Sequence, residues 1–322
     1  MIVRRSLRRS QMLPFFSKLS PCLIGVEACG TSHHWGREIA SLGHDVKLMP
    51  PAYVKPYVKR GKTDAADAEA ICEAVGRPTM RFVAIKSAEQ QSVVALHRTR
   101  DLLVGQRTQL VNMIRSQLAE FGIVLARGIQ HALRLVDRLV DGVVPDIPPL
   151  ACKIVVAMAQ QIRDLQAHIA MLEDEIKAWI RGSDLAQRLA TIPGIGYLTA
   201  SALAASVTDP HRFTSGRQFA ASLGLTPKAN ASGGRERKGR ISKMGDRYLR
   251  RLLVNGMTSQ LRAARRNPEA HPWVAGLIAG NKPNKLVAVA MANKAARIAW
   301  VVMTRGEVYR APIENGGNCM TH

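Results

Sequence analysis

Hydrophobic and polar positions alternate in short runs along the first 85 residues. The runs predict strands at Ile2 to Leu7, Cys22 to Val26 and Asp45 to Met49, with helices at Gln11 to Leu19, at Trp35 to Leu42 and after an N-cap at Thr63. Strands that alternate with helices are typical of a mostly parallel sheet. The sequence therefore predicts an α/β domain over residues 1–85.

From about residue 86 the hydrophobic period becomes helical. One apolar stripe contains Leu96, Leu103, Leu110, Ile114 and Leu118, and a second contains Met158, Ile162, Leu165, Ile169, Leu172 and Ile176. The second stripe steps by alternating fours and threes, which keeps one seam facing a partner helix. A proline-rich break at Val144 to Pro149 lies between them. We expect two long antiparallel helices over residues 86–182, forming a coiled coil with each other or with another subunit; an ordinary helical core is the alternative.

The third region, residues 183–310, is predicted to be mainly α-helical, followed by a tail at residues 311–322. The fold class is therefore α/β plus α. Between two of its apolar helices lies the turn Pro193, Gly194, Ile195 and Gly196. Glycines let backbone N–H groups approach a phosphate, and the start of the next helix is electropositive. The turn resembles a helix-hairpin-helix that binds nucleic-acid backbone through Pro193, Gly194 and Gly196; a plain interhelical turn is the alternative.

The net charge and its distribution indicate the kind of partner that the protein binds. The 322 residues carry a net charge of +22 and are 47% hydrophobic, which argues against disorder and favours a polyanionic partner. Residues 228–266 alone hold twelve basic side chains and two acidic ones. We interpret this segment as a phosphate-binding loop followed by a helix, with Arg235, Arg237, Lys238, Arg240, Lys243 and Arg247 as DNA-binding residues. Only 5% of residues are aromatic, which disfavours a stacking platform for single strands.

Carboxylates are scarce, and three of them have informative positions. Glu27 follows the predicted strand at Cys22 to Val26, and Asp64 with Asp67 begins the helix after Thr63. Carboxyl ends of strands present site residues in α/β sheets, and clustered carboxylates suit Mg²⁺. The alternative is that Asp64 and Asp67 only complement the dipole of their helix.

Ser232 lies in a glycine-rich, cation-rich segment, where its hydroxyl is suited to covalent attack on a phosphodiester or to a simple hydrogen bond with phosphate. No histidine or aspartate nearby supports a hydrolase triad.

The cysteines and the most apolar stretch of the chain bear on disulfides, metal sites and membrane association. The five cysteines are scattered without CxxC spacing, so neither disulfides nor a zinc site is predicted. The apolar stretch Leu286 to Met303 contains Lys294 and Arg297, so we expect no membrane span and a cytoplasmic protein.

Four segments together resemble the DEDD-type transposases of the insertion sequence 110 and 1111 groups: Val26 to Trp35, Met49 to Ile71, Thr191 to Gly196 and Gly224 to Val254. The resemblance implies an RNase H-like, resolvase-like domain joined through a coiled coil to a C-terminal transposase domain. It assigns Glu27, Asp64 and Asp67 to three positions of an Asp, Glu, Asp, Asp set that binds Mg²⁺, and Ser232 to the nucleophile. It also implies DNA substrates and a noncoding guide RNA. We expect a homo-oligomer, a dimer or tetramer, with a site shared between subunits, because the predicted coiled coil separates the acids from Ser232.

The resemblance has one departure. The family's first Asp precedes the Glu on an N-terminal strand, whereas residues 1–26 contain no Asp or Glu. We therefore expect an incomplete sheet, arising from a misplaced start or a truncated element, and little or no activity in this chain. The leading hypothesis is a DNA transposase. The alternatives are a non-catalytic nucleic-acid-binding remnant and a structure-specific nuclease.

Overall fold

The chain divides into two compact units, Met1–Gln91 and Ser92–His322. The computed structural model describes residues 5–59, 61, 63–143, 145–232 and 235–311, with the backbone alone at 229–232 and 235–238. The described residues are mostly helical, with four short strands in two separate pairs. The combination of a small parallel α/β unit with a helical remainder agrees with the predicted class, while the finer boundaries at 85, 182 and 310 stay predictions.

The first unit is built around two strands. Its elements are α1 (Met12–Phe16), β1 (Leu23–Glu27), α2 (Ser32–Ser41), β2 (Asp45–Met49), α3 (Pro51–Val54) and α4 (Asp64–Val75), with 3-10 turns at Arg9–Gln11 and Lys55–Tyr57. Strands β1 and β2 are parallel, and a single antiparallel bridge joins Leu48 to Val83. The strand predicted at Asp45 to Met49 and the N-cap at Thr63 are confirmed, because the Thr63 hydroxyl accepts a hydrogen bond from the Ala66 amide at 3.2 Å.

The strand predicted at Ile2 to Leu7 is wrong for the part that the structure describes. Residues 5–8 have no regular structure, and residues 1–4 lie outside the described part. Arg5, Arg8 and Arg9 leave this segment without the alternation of apolar residues that a half-buried strand needs.

Helix α4 covers β1 at a glycine. A Cβ at Gly25 would lie 3.0 Å from Ile71 and 3.1 Å from Val75, so the missing side chain lets the helix approach the strand closely. Ala70 and Ala74 on the same helix are buried with Met49 and Val54. The later turns of α4 are thereby packed on the small sheet, while its two aspartates lie in the first turn.

The remaining elements are helical apart from one hairpin. They are α5 (Ala88–Ala119), α6 (Ile129–Val140), α7 (Pro149–Gly182), α8 (Asp184–Ala190), α9 (Tyr197–Ser206), α10 (Gly216–Ser222), β3 (Pro227–Ser232), β4 (Arg235–Ile241), α11 (Arg247–Arg266), α12 (Pro272–Ala279) and α13 (Asn284–Arg305), with a 3-10 turn at Pro210–Arg212.

The two long helices α5 and α7 run antiparallel to each other. Arg100 bonds Glu173, and Arg107 bonds Gln166 at 2.5 Å, so residue numbers rise along one helix as they fall along the other. The sequence left open whether each long helix pairs with the other or with another subunit, and in the described chain α5 pairs with α7.

Helix α6, which the sequence analysis missed, lies between α5 and α7 in the chain. Its apolar face packs Ala132, Val136 and Leu139 against both long helices.

The C-terminal part has its own core around α13. Helices α8 to α13 contribute to one buried cluster that includes Leu189, Leu203, Phe219, Leu253 and Ala296. By length and composition α13 is apolar enough to cross a membrane, but half of its most apolar window is buried inside the protein, as in the core helix of a globular domain.

Candidate functional site

Ser232 is the last residue of strand β3 in a basic β-hairpin. Its backbone pairs with Arg235 on β4, and Asn230 pairs with Arg237. The sequence analysis expected a loop here, and that expectation is wrong for the described backbone. Gly233 and Gly234, between the two strands, lie outside the described residues. The hairpin places the candidate nucleophile beside a strand that carries Arg235, Arg237, Lys238 and Arg240.

The base of this hairpin is held firmly by backbone contacts. The Ser242 amide donates to the Thr226 carbonyl at 2.8 Å, and a Cβ at Gly224 or Gly245 would overlap neighbouring backbone atoms. Arg250 donates to the Leu223 and Met244 carbonyls at 2.9 and 3.0 Å. The hairpin is therefore anchored where it joins the helical core.

The basic segment serves two purposes. Arg240, Lys243 and Arg247 are exposed beside the hairpin, available to a phosphate backbone. Three of its other arginines are engaged by other residues of the chain: Arg250 at the hairpin base, Arg251 in an ion pair with Asp101, and Arg265 in a hydrogen bond to Asn284. Counting all twelve cations as one phosphate-binding surface is thus an overestimate.

The Pro193 to Gly196 turn connects α8 to α9. Gly194 has φ of +82°, which favours glycine, and a Cβ at Gly256 of α11 would overlap the Gly194 carbonyl oxygen. Pro193 and Gly196 are exposed, and no side chain caps α9 at Gly196. The turn is therefore held from behind by α11 and leaves the start of α9 available to an anion.

A polar network links the long helices to the helices that carry this turn and Arg247. His97 of α5 is buried and lies 2.9 Å from both the Tyr248 hydroxyl of α11 and the Ser201 hydroxyl of α9. Arg100 pairs with Glu173, whose other oxygen accepts from the Tyr197 hydroxyl at 3.0 Å. These contacts fix α9 and α11 against α5 and α7.

His97 is neutral in this network. The Ser201 hydroxyl donates to the Tyr197 carbonyl at 2.7 Å, so it accepts from Nε2–H of His97, and Nδ1 accepts from the Tyr248 hydroxyl. Burial, and then repulsion by Arg100, lowers the pKa of His97 from 6.5 to about 4. Sequence reasoning missed this residue, because a single histidine on a helix carries no signal of a partner 151 positions away.

The three predicted acids all belong to the first unit. Glu27 ends β1 and is half-buried, and its backbone is opposite Met49. Asp64 is exposed and Asp67 half-buried in the first turn of α4. Within the described residues, no group of three His, Cys, Asp or Glu side chains is positioned to hold a metal ion. The structure thus brings Asp64 and Asp67 together on one turn and does not gather all three acids. The four described cysteines are free thiols, and Cys319 lies outside the described part.

Known transposase families match both the region of the predicted acids and the region of the basic hairpin. Residues 186–272 match the family model described as "Transposase IS116/IS110/IS902 family", and residues 8–123 match a transposase model of the DEDD, IS110 type. The first match contains the Pro193 turn and Ser232; the second contains Glu27, Asp64 and Asp67.

Relatives extend the similarity along nearly the whole chain. A putative transposase of Sinorhizobium fredii is 48% identical over 96% of this chain and 80% of its own length. A probable family 20 transposase of Pseudomonas aeruginosa is 45% identical over 96% of this chain and 92% of its own. The transposase for insertion sequence element IS1111A of Coxiella burnetii is 37% identical, with 96% and 85% covered.

These similarities define the class of the molecule as a DNA transposase, a recombinase that acts on DNA. Within that class, the chain belongs to the IS116/IS110/IS902 family.

Proposed function

We propose that this transposase cuts and rejoins DNA through Ser232 as the nucleophile. The observation that carries the proposal is the register of the β-hairpin, in which Ser232 is directly opposite Arg235 and next to a strand of cations. A fixed positive environment offsets the charge that develops on a phosphodiester under attack. The matched family model over residues 186–272 includes this hairpin, which supports the assignment.

The proposed step conserves the phosphodiester. The Ser232 oxygen attacks phosphorus and forms a serine–phosphate bond, while the bond from phosphorus to one strand oxygen breaks. The serine proton leaves to a base and the departing oxygen takes up a proton. Because the number of phosphorus–oxygen ester bonds is unchanged, a second strand oxygen can attack the adduct and release Ser232 without an external energy source.

DNA is held in this proposal by two surfaces that recognise backbone rather than sequence. The turn at Pro193, Gly194 and Gly196 offers the start of α9, and Arg240, Lys243 and Arg247 flank the hairpin. Sequence choice then comes from a noncoding guide RNA, as the resemblance implies. RNA that copurifies with the protein, and ribonuclease treatment that abolishes site choice, would support this part.

Glu27, Asp64 and Asp67 are proposed to act on the same phosphodiester. Their carboxylate oxygens are suited to Mg²⁺, but the described arrangement does not collect them into a cation site, so no step is derived through a metal. The acids belong to the first compact unit and Ser232 to the second, and in this proposal the two sets come from different copies of the chain.

The test is a protein–DNA adduct that survives denaturant, sought on plasmid DNA carrying the element ends. An adduct formed by this chain would support the serine mechanism and would contradict the little or no activity expected from the missing first Asp. Ser232→Ala should then abolish the adduct, and Ser242→Ala, just beyond the same hairpin, should retain it. DNA cutting without an adduct would identify a nuclease, and DNA binding without either would identify a non-catalytic remnant.

The same assay tests the shared site. Glu27→Gln and Ser232→Ala are inactive alone in this proposal. Mixed together, they form one intact site only if the acid and the serine come from different chains, so activity should return in the mixture. A mixture that stays inactive while both variants still associate contradicts the shared site.

A further inference from the structure

Two neighbouring cavities in the C-terminal core have complementary chemistry. The first, here called the basic cleft, has a volume of about 840 Å³ and is lined by Arg217, Trp273, Lys294, Arg297 and Trp300 among others. The second, here called the apolar pocket, has a volume of about 410 Å³ and includes Pro193, Met257, Trp273 and Tyr309. Trp273, Lys294 and Ile298 line both, so the cavities share a wall.

The basic cleft collects positive charge without compensating acids. None of the described residues that line it is a carboxylate, and none of its three cations forms an ion pair with another described residue. A Cβ at Gly216 would lie 3.1 Å from the Arg297 backbone, so this glycine lets α10 approach α13 and places Arg217 beside Arg297. Burial, and then repulsion by Arg297, lowers the pKa of Lys294. Such a cluster favours an anion.

Trp273 is the aromatic side chain that remains available. The Lys294 ammonium lies 4.0 Å from the centre of its ring, yet the residue is 44% exposed. Trp300, by contrast, is partly buried in the core and donates its indole N–H to the Pro210 carbonyl at 3.0 Å. Trp273 thus offers ring surface to a ligand, and Trp300 serves the fold.

The apolar pocket begins at the turn already proposed to hold DNA. Pro193 lies on its wall, and Met257 from α11 and Met291 from α13 also line it. A space of about 410 Å³ has room for a planar ring but not for a double helix.

We propose that the apolar pocket and the basic cleft together bind one unpaired nucleotide. Its base lies against Trp273 and beside Pro193, and its phosphate is bound by Arg217, Lys294 and Arg297. Unpaired bases of DNA and RNA share this chemistry, and stacking on an aromatic ring accepts any base. The site deepens the proposed function, on which it rests for nucleic acid as the ligand. It would hold a strand end or a flipped base while the hairpin acts on the backbone.

The experiment compares oligonucleotides that differ only in their bases. Fluorescent dT12, rU12, an abasic 12-mer and a 20-base-pair duplex are titrated with the full chain at fixed salt. We expect the dT12 or rU12 affinity to exceed that of the abasic oligomer by about tenfold, the value of one stacked base. Stronger binding of dT12 assigns the site to DNA, and stronger binding of rU12 assigns it to RNA.

Variants then locate the effect. Trp273→Ala should remove the difference in affinity between oligomers with bases and the abasic oligomer, and Trp273→Phe should retain part of that difference. Lys294→Gln or Arg297→Gln should lower the affinity for all single strands. Lys285→Gln, on an exposed turn of the same helix outside both cavities, is the matched control and should change little. Photocrosslinking of an iodouracil-containing oligomer should label the peptide with Trp273.

Equal binding of abasic and based oligomers by the wild type, or a crosslink that maps elsewhere, overturns the inference. The proposed function fails separately. Absence of a Ser232 adduct with an intact Trp273 effect contradicts the serine mechanism alone, and an adduct without a Trp273 effect contradicts the nucleotide site alone.

Discussion

Charged side chains lie beside aromatic rings at two places in the larger unit, and the two places treat charge differently. Between the long helices and α9, Arg100 is paired with Glu173, the Tyr197 hydroxyl donates to Glu173, and the Tyr248 hydroxyl donates to His97. In the basic cleft, Arg217, Lys294 and Arg297 line one cavity together with Trp273, and none of them forms an ion pair with a described carboxylate. A charge that the protein neutralises itself stabilises the fold, whereas a charge left without an internal partner is available to a ligand.

The largest expected effect breaks the neutralised cluster. Glu173→Gln leaves Arg100 with reduced compensation in a largely buried position, where its side chain is 16% exposed. We expect the free energy of unfolding to fall by about 3 kcal/mol, measured by denaturant titration. Glu175→Gln, exposed on the same helix, is the control and should change it by less than about 0.5 kcal/mol. Equal effects of the two substitutions would remove the distinction between the clusters.

A second effect uses the pH dependence of His97. Its pKa is about 4 in the folded protein and 6.5 ordinarily, so below pH 6.5 the unfolded chain binds a proton that the folded chain does not. Stability contributed by the neutral imidazole is complete above pH 6.5 and is lost as the pH falls from 6.5 to 4, by about 3 kcal/mol. The difference between wild type and His97→Gln at each pH isolates this contribution. A difference that stays constant from pH 7 to pH 4 contradicts it.

The smallest expected effect concerns the unpaired cations of the basic cleft. Arg297→Gln removes a positive charge that repels Lys294. We therefore expect the free energy of unfolding to stay the same or to rise slightly, by no more than about 0.5 kcal/mol. Arg250→Gln removes the same charge at the hairpin base, where two carbonyls lose a donor, and should cost about 1–2 kcal/mol. Thermal unfolding of both variants measures the contrast. A larger loss for Arg297→Gln would show that the cleft is built for stability.

The sequence predicted those helices and strands whose hydrophobic pattern or capping residue lies within one segment. The strand at Asp45 to Met49, the cap at Thr63 and the stripe from Met158 to Ile176 all follow from periodicity and one hydroxyl side chain. The hairpin was missed because β4 has the sequence RERKGRI, in which apolar alternation is absent and backbone pairing alone defines the strand.

The candidate sites could be predicted only in part. Ser232 and the acids were found through their local context and the resemblance, and their relation in space stays a prediction. The basic cleft could not be found, because Arg217, Trp273 and Lys294 come from three helices and meet only when α10, α12 and α13 pack. The low aromatic content argued against a stacking platform for single strands, whereas the proposed nucleotide site needs one exposed ring, which composition does not reveal.

The contact between two glycines has a practical consequence for mutagenesis of this turn. Because a methyl group at Gly256 would overlap the Gly194 carbonyl, and Gly194 itself has a positive φ, neither position tolerates the variety that a mutant library introduces. Randomisation belongs instead at exposed neighbours such as Pro193, Arg240 and Arg247, where a new side chain meets solvent rather than the backbone of another helix.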